Sequence, residues 1–311
     1  VAFDGSSLRL ELALLYFLQE FRKVYVGDTS VGVTKMYERL RAVMQAETAN
    51  SELVLGVMLD KIFINFRHLA HEADAVEQSA SLLYNLASGY SSVRLLARLE
   101  QCEQLLAEHT SDAFAFLDVP ANLRARVRYY TSLAKLLHMI DTAPLRRAFM
   151  QPFTDTMSQL LDVDSPDAFA APDCREMLLR ALLDLRGYLA GTYSRAAYER
   201  FFDWLYPRFM PVVLRAAEVY GADPLVCKIV LKFMAELTAN KSGRITFDVA
   251  SANGILLFRE TSKLLCLLAP ALQAVRVDGD NGGARGGGGD LARRGPARRR
   301  TKCRAPAAAA T

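Results

Sequence analysis

Residues 10–28 read LELALLYFLQEFRKVYVGD, and the spacing of their apolar side chains indicates a helix. One apolar row advances by four and then three positions, which is the rhythm of a single helix face: Leu10, Leu14, Phe17, Phe21 and Val24. A second row lies beside it and contains Leu8, Leu12 and Leu15. An apolar face of this width is typical of a helix that packs against more than one neighbour.

The same spacing recurs along most of the chain. Five further rows follow it: Leu55, Leu59, Ile62, Phe66, Leu69; Leu95, Leu99, Cys102, Leu106; Leu123, Val127, Tyr130, Ala134, Leu137; Leu178, Leu182, Leu185, Leu189; and Val226, Val230, Phe233, Leu237. The best strand-like alternation spans only residues 245–249, which is too short to seed a sheet. The sequence therefore predicts an all-α protein.

The helices are predicted to stack in pairs. About twelve helices fit between residues 7 and 269, which gives about 45 residues for each antiparallel pair, close to the 40–47 residues of HEAT and armadillo repeats. We therefore expect residues 1–275 to form a HEAT/armadillo-like α-solenoid of antiparallel helix pairs. A compact globular bundle is the alternative that periodicity leaves open.

Capping residues and breakers indicate where helices begin and end. Asp223 precedes Pro224 in the manner of an N-cap before a first-turn proline, and Ser92 and Asp173 are predicted to open two other helices. Four glycines are expected in or near breaks: Gly89, Gly187, Gly221 and Gly243. Two prolines, Pro207 and Pro211, predict a broken helix between residues 201 and 213.

The last segment, residues 276–311, differs in composition. It is rich in Gly, Arg, Pro and Ala, so it is expected to be a disordered C-terminal tail. It carries a net charge of +6, which leaves a net charge of −2 for the preceding residues and gives no reason to propose nucleic acid as their ligand. The tail resembles a basic localisation or nucleic-acid patch, but translated non-coding sequence is the interpretation we favour.

No pattern in the chain predicts catalysis, a cofactor site or a metal site. His68 and His71 stand three residues apart beside Glu72, but neither HExxH nor HxxEH is formed. Exposed histidines at a helix end are the favoured interpretation, and a metal-dependent helical-bundle enzyme is the remaining alternative. No apolar run approaches the roughly 20 residues of a spanning helix, so membrane insertion is not expected.

Clusters of basic residues are the remaining candidates for a functional surface. Solvated helix faces are their usual explanation, and a row of charges along a concave surface that holds an acidic partner is the functional alternative. Two pairs are the protein-binding residues that we predict, namely Lys228 with Lys232 and Arg259 with Lys263.

Residues 243–263 read GRITFDVASANGILLFRETSK, and this wording is too specific for a generic helix. The segment is similar to the exportin-seven subfamily of importin-β-like nuclear transport receptors. Six more segments resemble the same family in the same order: residues 10–28, 89–100, 108–117, 178–187, 202–216 and 230–244. Ala252 stands where a proline is expected, and the sequence after residue 275 does not resemble the family.

The resemblance implies a HEAT-repeat receptor that is not an enzyme. Such receptors bind Ran·GTP and protein cargo, contact nuclear pore proteins, and shuttle between nucleus and cytoplasm. Because the first residue is Val1, the chain is expected to be a fragment, and the resemblance implies that it is the central part of such a receptor. A helical-repeat interaction scaffold without a transport role is the alternative function. The resemblance assigns no individual binding residue, no cofactor and no nucleic-acid ligand.

Overall fold

The computed structural model describes residues 5–25, 39, 48–247 and 253–281, and their side chains between residues 7–23, at 39, and between 51–247 and 253–270. The chain divides into two units, Val1–Ala271 and Leu272–Thr311, and the architecture below is that of the first unit.

The described residues form α-helices and short 3-10 turns, and no strand occurs among them. The helices are α1 (Gly5–Tyr25), α2 (Thr48–His68), α3 (Ala73–Ser88), α4 (Tyr90–Leu96), α5 (Glu100–Ala107), α6 (Leu123–Ile140), α7 (Ala143–Leu161), α8 (Pro166–Phe169), α9 (Pro172–Gly191), α10 (Arg195–Leu205), α11 (Met210–Val219), α12 (Pro224–Thr238) and α13 (Asn253–Asn281). The predicted all-α class is confirmed. In the part of the chain that is described, none of these helices has the length and apolarity that crossing a membrane requires.

Two rows of helices run side by side in chain order. The first row is α1, α3, α6, α9 and α12, and each of these helices contacts the one before it and the one after it. The second row is α2, α5, α7 and α11, which contact one another in the same order. This nearest-neighbour stacking is the arrangement of an α-solenoid, as predicted.

The repeat is slightly longer than the sequence suggested. Successive helices of the first row begin at Ala73, Leu123, Pro172 and Pro224, so one helix is added about every 50 residues. This spacing is closer to the 40–47 residues of HEAT repeats than to the 34 of tetratricopeptide repeats. The excess comes from short helices such as α4 and α8, which the apolar periodicity does not separate from their neighbours.

The core lies between the two rows and is built from the predicted apolar stripes. Leu55, Leu59 and Ile62 of α2 are fully buried, as are all four stripe residues of α9 and of α12. The stripe predicted for residues 95–106 is divided between two helices. The backbone of Leu99 is extended, so α4 ends before it and α5 begins after it.

Helix α1 buries a different row from the one predicted. Leu15 is fully buried, whereas Leu10 is 72% and Phe17 is 57% exposed. Contact with α3 uses the second row, and the polar residues Gln19 and Arg22 on that side are buried with it. Because α1 is apolar on both sides, its periodicity identifies the helix but not the face that meets α3.

One of the predicted caps forms as expected. The Asp223 carboxylate accepts hydrogen bonds from the amides of Leu225 (2.9 Å) and Val226 (3.2 Å) at the first turn of α12. The expected break near Pro207 is also confirmed, because α10 ends at Leu205 and α11 begins at Met210 with Pro211 in its first turn.

Two other predicted caps are wrong. Helix α4 begins two residues before Ser92, whose hydroxyl instead donates to the carbonyl of Leu86 (2.6 Å). Helix α9 begins at Pro172, before Asp173, and no side chain caps it. Ser92 is instead bonded to the end of the preceding helix, and α9 starts at Pro172, a first-turn proline whose local signal the choice of Asp173 overlooked.

Gly187 lies inside α9, so its predicted place in a break is wrong. A Cβ atom at this position would lie 2.6 Å from the Val127 carbonyl oxygen and 2.8 Å from the Tyr130 Cβ, both on α6. Gly191, one turn further along α9, faces Thr131 and Ala134 of α6 in the same way. The two glycines allow α9 and α6 to approach backbone to backbone.

Two other predictions fall partly outside the described residues. Residues 245–247 are not in a strand, and residues 248–249 lie outside the described part of the chain. Helix α13 extends to Asn281, six residues into the tail that the sequence predicts to be disordered, and residues 282–311 are not described. The disorder predicted for residues 282–311 therefore stays a prediction, and Ala252, where the family resemblance leads to a proline, also lies outside the described residues.

Candidate functional site

A groove of about 1040 Å³ lies along the first row of helices. Residues of α3, α6, α9 and α12 line it, together with Tyr193 and Lys241 at one end. Six cationic side chains contribute to its surface: Arg124, Arg128, Arg186, Lys228, Lys232 and Lys241. The described residues that line it include no carboxylate. We call this surface the basic groove.

Five of the six cations form two pairs with a single residue on the helix between them. Arg124 and Arg128 lie one turn apart on α6, and Lys228 and Lys232 lie one turn apart on α12. Arg186 projects from α9, the helix between these two in the row. Stacking therefore brings together charges that are about 100 positions apart in the sequence.

Apolar side chains separate these charges on the surface of the groove. Leu123 and Val127 of α6, Leu183 of α9, and Leu225 and Ile229 of α12 all line it. Leu123 is 37% and Leu225 is 41% exposed, although both belong to largely apolar helix faces. We call these five residues the apolar strip of the groove.

Four of the six cations have no partner in the described part of the chain. Lys241 forms an ion pair with Glu236, and Arg128 bonds to Glu77 and Ser81. Neither a hydrogen bond nor an ion pair with a described residue forms at the remaining four: Arg124, Arg186, Lys228 and Lys232. Because no described residue neutralises these four charges, they give the groove a positive potential.

Two tyrosines that line the groove, Tyr84 and Tyr193, both contact Lys135. The Lys135 ammonium lies 4.4 Å from the ring centroid of Tyr84 and 5.6 Å from that of Tyr193, and it donates to the Ser88 hydroxyl (2.6 Å). The Lys241 ammonium lies 5.9 Å from the Tyr193 ring. These contacts are cation–π interactions, and they hold the tyrosine rings at the edge of the groove.

The structure divides the four residues predicted to bind protein. Lys228 and Lys232 lie in the basic groove, but Arg259 and Lys263 are on α13 and do not line it. Both contact the buried Glu260 carboxylate, with distances of 2.8 Å for Arg259 Nε and 3.1 Å for Lys263 Nζ. Arg259 also donates to the Tyr206 hydroxyl.

The sequence pattern did not identify Arg186 or the tyrosines at the edge of the groove. Arg186 sits among leucines and looks like an ordinary exposed charge on an amphipathic helix. Arg124 and Arg128 flank Arg126 in the sequence, but Arg126 points the other way, into a second cavity. The stacking of α6, α9 and α12 is what separates Arg124 and Arg128, which line the groove, from Arg126, which does not.

That second cavity, of about 400 Å³, is lined by residues of α6, α7 and α9 and by residues 109–111 after α5. The Arg126 guanidinium donates to both oxygens of the buried Asp184 carboxylate, with 2.6 Å between Nη2 and Oδ2. Burial works to lower the pKa of Arg126, but Asp184 outweighs it and the pKa is raised. The pair ties α6 to α9.

His109 lies in the wall of the same cavity. Its Nε2 is 3.0 Å from the carbonyl oxygen of Phe149, so Nε2 carries the proton in the neutral ring. Nδ1 lies 3.5 Å from the Tyr130 hydroxyl. Burial lowers the pKa of His109 to about 4 from its ordinary value of 6.5.

The His109 environment predicts a loss of stability in acid. A histidine whose pKa is lower in the folded state stabilises the fold fully above its unfolded pKa of 6.5, and this stability is lost as the pH falls towards 4. A His109→Gln variant keeps a donor for Phe149 but does not titrate. Urea unfolding at several pH values should show that the free energy of unfolding of the variant falls less in acid than that of the parent chain. The difference should reach about 3 kcal/mol between the unfolded and folded pKa values of His109.

Titratable groups present in both the parent chain and the His109→Gln variant contribute equally to their pH profiles, so the difference between the two profiles reports His109. The pKa of His138 is also lowered to about 4 by burial, and it remains in both proteins. A His138→Gln variant provides the matched control and should flatten the profile separately. Identical pH profiles for the His109 variant and the parent chain would contradict the assignment.

The alternative metal site does not form in the described residues. Helix α2 ends at His68, and His71 follows in the turn, so the two histidines are not on one helix. Both are exposed, which agrees with the favoured interpretation. No group of three or more potential metal ligands is present in the described part of the chain.

Comparison with known proteins identifies related chains. Residues 2–125 match the family described as Exportin-7-like, TPR domain. The chain is 36% identical over 270 residues to Exportin-7-B of Xenopus laevis, a match that covers 84% of this chain and 25% of that protein. It is 31% identical over 272 residues to Exportin-7 of Dictyostelium discoideum, covering 88% of this chain and 27% of that protein.

A third relative carries a different name. Ran-binding protein 17 of Homo sapiens is 35% identical over 266 residues, covering 83% of this chain and 24% of that protein. The chain thus spans about a quarter of the length of the curated relatives that it matches. The aligned part includes the helices that line the basic groove, because more than four-fifths of the chain is covered.

Proposed function

Because the chain belongs to the exportin-7 family, we propose that it is a segment of a nuclear transport receptor. In this proposal it contributes to Ran·GTP-dependent binding of protein cargo and to its export through nuclear pores. The observation that carries the proposal is the basic groove, an open surface on a stack of helices with four cations that no described residue pairs. Such a surface suits a protein partner and offers no machinery for covalent chemistry.

The proposal includes the partners and places that the family implies. These are Ran in its GTP state, protein cargo, nuclear pore proteins, and movement between nucleus and cytoplasm. We propose no enzymatic activity, no nucleic-acid ligand and no insertion into membranes. The relatives' names support the first two partners, since they call those proteins exportins and Ran-binding proteins.

A solenoid suits this role for a physical reason. Each repeat contacts mainly its neighbours, so the stack can change curvature without breaking its core. Two partners that favour different curvatures then alter each other's affinity. The basic groove crosses three successive helices of the first row, α6, α9 and α12, so its width changes with that curvature.

Lys228 and Lys232 are the residues that we propose as direct protein contacts. They are exposed, unpaired with any described residue, and aligned with the other groove cations. Arg259 and Lys263 stay a separate proposal. Their ion pairs with Glu260 on α13 account for their position, so a partner would compete with an existing contact.

The test is a chimera in which this chain replaces the aligned segment of Exportin-7-B from Xenopus laevis. The chimera should be captured on immobilised Ran loaded with GTP but not with GDP, and it should support export of a reporter cargo in permeabilised cells. Reversing Lys228 and Lys232 to Glu should reduce cargo export at least about fivefold, because two of the four groove cations without a described partner become anions.

A matched variant controls for net charge. Arg9 and Arg147 are exposed, unpaired with any described residue and outside the groove, so reversing both gives the same change in total charge. That variant should export cargo normally. Capture that ignores the nucleotide state, together with absent export by the unreversed chimera, would favour the scaffold function instead.

A further inference from the structure

We propose that the basic groove binds an acidic amphipathic helix of a partner protein. The inference rests on the proposed function in one respect, namely that the groove is a protein-binding surface. The chemistry of the occupant follows from the charges, the apolar strip and the spacing of the groove-lining residues.

The charge argument concerns the pairs on α6 and α12. Arg124 with Arg128 and Lys228 with Lys232 each stand four residues apart on a helix. A partner helix that crosses α6, α9 and α12 would meet Arg124 of α6, then Arg186 of α9, then Lys228 with Lys232 of α12. None of these four cations is paired with a described residue, so carboxylates spaced along such a helix could pair with each in turn.

The apolar strip decides between an acidic helix and a simple polyanion. Leu123 and Leu225 leave more than a third of their surface exposed inside a groove whose rim is cationic. The phosphates of a nucleic acid or a polyphosphate would leave the exposed leucine surface in contact with charge or water, so no free energy would be gained from burying it. An amphipathic helix covers it with apolar side chains and directs its carboxylates to the rim.

The size of the groove sets the length of the helix. Neighbouring helices pack about 8–10 Å apart, so a groove that crosses α6, α9 and α12 is roughly 20 Å long. An α-helix of about 15 residues spans that distance. The occupant is therefore an acidic helix of about four turns with leucine-type residues along one face.

The experiment measures binding of a synthetic peptide to the full chain by fluorescence anisotropy. The probe is a labelled helix of about 15 residues, with leucine on one face and glutamate on the other. The Lys228→Glu/Lys232→Glu chain should bind it at least about tenfold more weakly, and high salt should weaken binding to the parent chain. The Arg9→Glu/Arg147→Glu chain should bind it within about twofold of the parent.

Two further probes separate the possible occupants. A peptide of the same composition with its leucines scattered around the helix should bind at least about fivefold more weakly, because it cannot cover the strip. Single-stranded RNA of similar charge should bind more weakly than the amphipathic peptide. Equal binding of the scattered peptide or of the RNA would overturn the inference in favour of a general polyanion site.

Variant folding and the proposed function are checked separately. If the double reversal on α12 disturbs the fold by circular dichroism, Arg186→Gln on α9 serves in its place and should still weaken peptide binding. Absence of measurable peptide binding by the parent chain would overturn the inference. The chimera's response to Ran·GTP would be unaffected by that result, so failure of the helix proposal is distinguishable from failure of the transport proposal.

Discussion

Replacing Gly187 by alanine is expected to lower the free energy of unfolding by about 1–3 kcal/mol, although alanine is the better helix former. The added Cβ would stand 2.6 Å from the Val127 carbonyl oxygen and 2.8 Å from the Tyr130 Cβ. Both are parts of α6 that cannot rotate away, so the two helices must separate. Urea unfolding followed by circular dichroism measures the loss as a lower midpoint.

The control for this prediction is the same substitution in another helix. Gly56 lies inside α2, and a Cβ there would meet only the side-chain nitrogen of Gln101, at an ordinary distance of 3.4 Å. Gly56→Ala is therefore expected to raise stability by about 0.5–1 kcal/mol, because alanine loses less backbone entropy. Opposite signs for the two glycines would establish the close approach, and two stabilising substitutions would refute it.

The contact between α6 and α9 also links stability to the groove. Gly187 and Gly191 set the distance between these helices, and Arg186 and Ala190 of α9 line the groove beside them. A wider gap would move Arg186 away from Arg124 and Arg128 on α6. The Gly187→Ala chain should therefore bind the acidic helical peptide more weakly even where it remains folded.

The sequence predicted the repeat architecture well because each stripe is a local property. Spacings of three and four mark a helix whichever neighbour it meets, so the buried rows of α2, α9 and α12 were identified correctly. The buried face of α1 was not, because both of its faces are apolar. Gly187 was placed wrongly for a different reason. A glycine that ends a helix and one that lets a neighbouring helix approach look alike in the sequence.

The candidate site was only half visible in the sequence. Lys228 and Lys232 form a local pair, so they could be proposed in advance, and Arg259 with Lys263 looked equivalent. Glu260 lies between the members of the second pair on the same helix, but its burial and the groove that Lys228 and Lys232 line depend on the packing of other helices. The spacing of charges along one helix does not reveal whether that face of the helix lines the groove.

Arg244 carries the other large prediction, and its environment is unlike that of any groove cation. Its side chain is fully buried, and its guanidinium donates to four backbone carbonyls. The acceptors and distances are Leu189 (3.0 Å), Thr192 (2.7 Å), Glu236 (2.6 Å) and Ala239 (2.9 Å). These carbonyls lie at or just beyond the C-terminal ends of α9 and α12, where helix carbonyls lack partners within the helix.

One side chain thus caps two neighbouring helices of the first row. The positive charge also interacts favourably with both helix ends, and the guanidinium lies 4.7 Å from the Tyr198 ring centroid. The Glu236 carboxylate, 3.7 Å from Nη2, supplies a counter-charge. Removing the guanidinium leaves four carbonyls, two of them in fully buried contacts, and one carboxylate with fewer partners, which is a costly change in a protein interior.

We therefore expect Arg244→Met, which preserves much of the side-chain volume, to destabilise the chain by about 3–5 kcal/mol. Arg244→Lys keeps the charge but cannot reach four carbonyls with a single ammonium, so it should lose an intermediate amount. Arg186→Met is the control, since that arginine is half-exposed, lies on α9 and has no described partner; its effect should stay within about 0.5 kcal/mol. Urea unfolding of the three variants tests the ranking, and an Arg244→Met chain as stable as the Arg186→Met chain would show that the four hydrogen bonds do not hold α9 and α12 together.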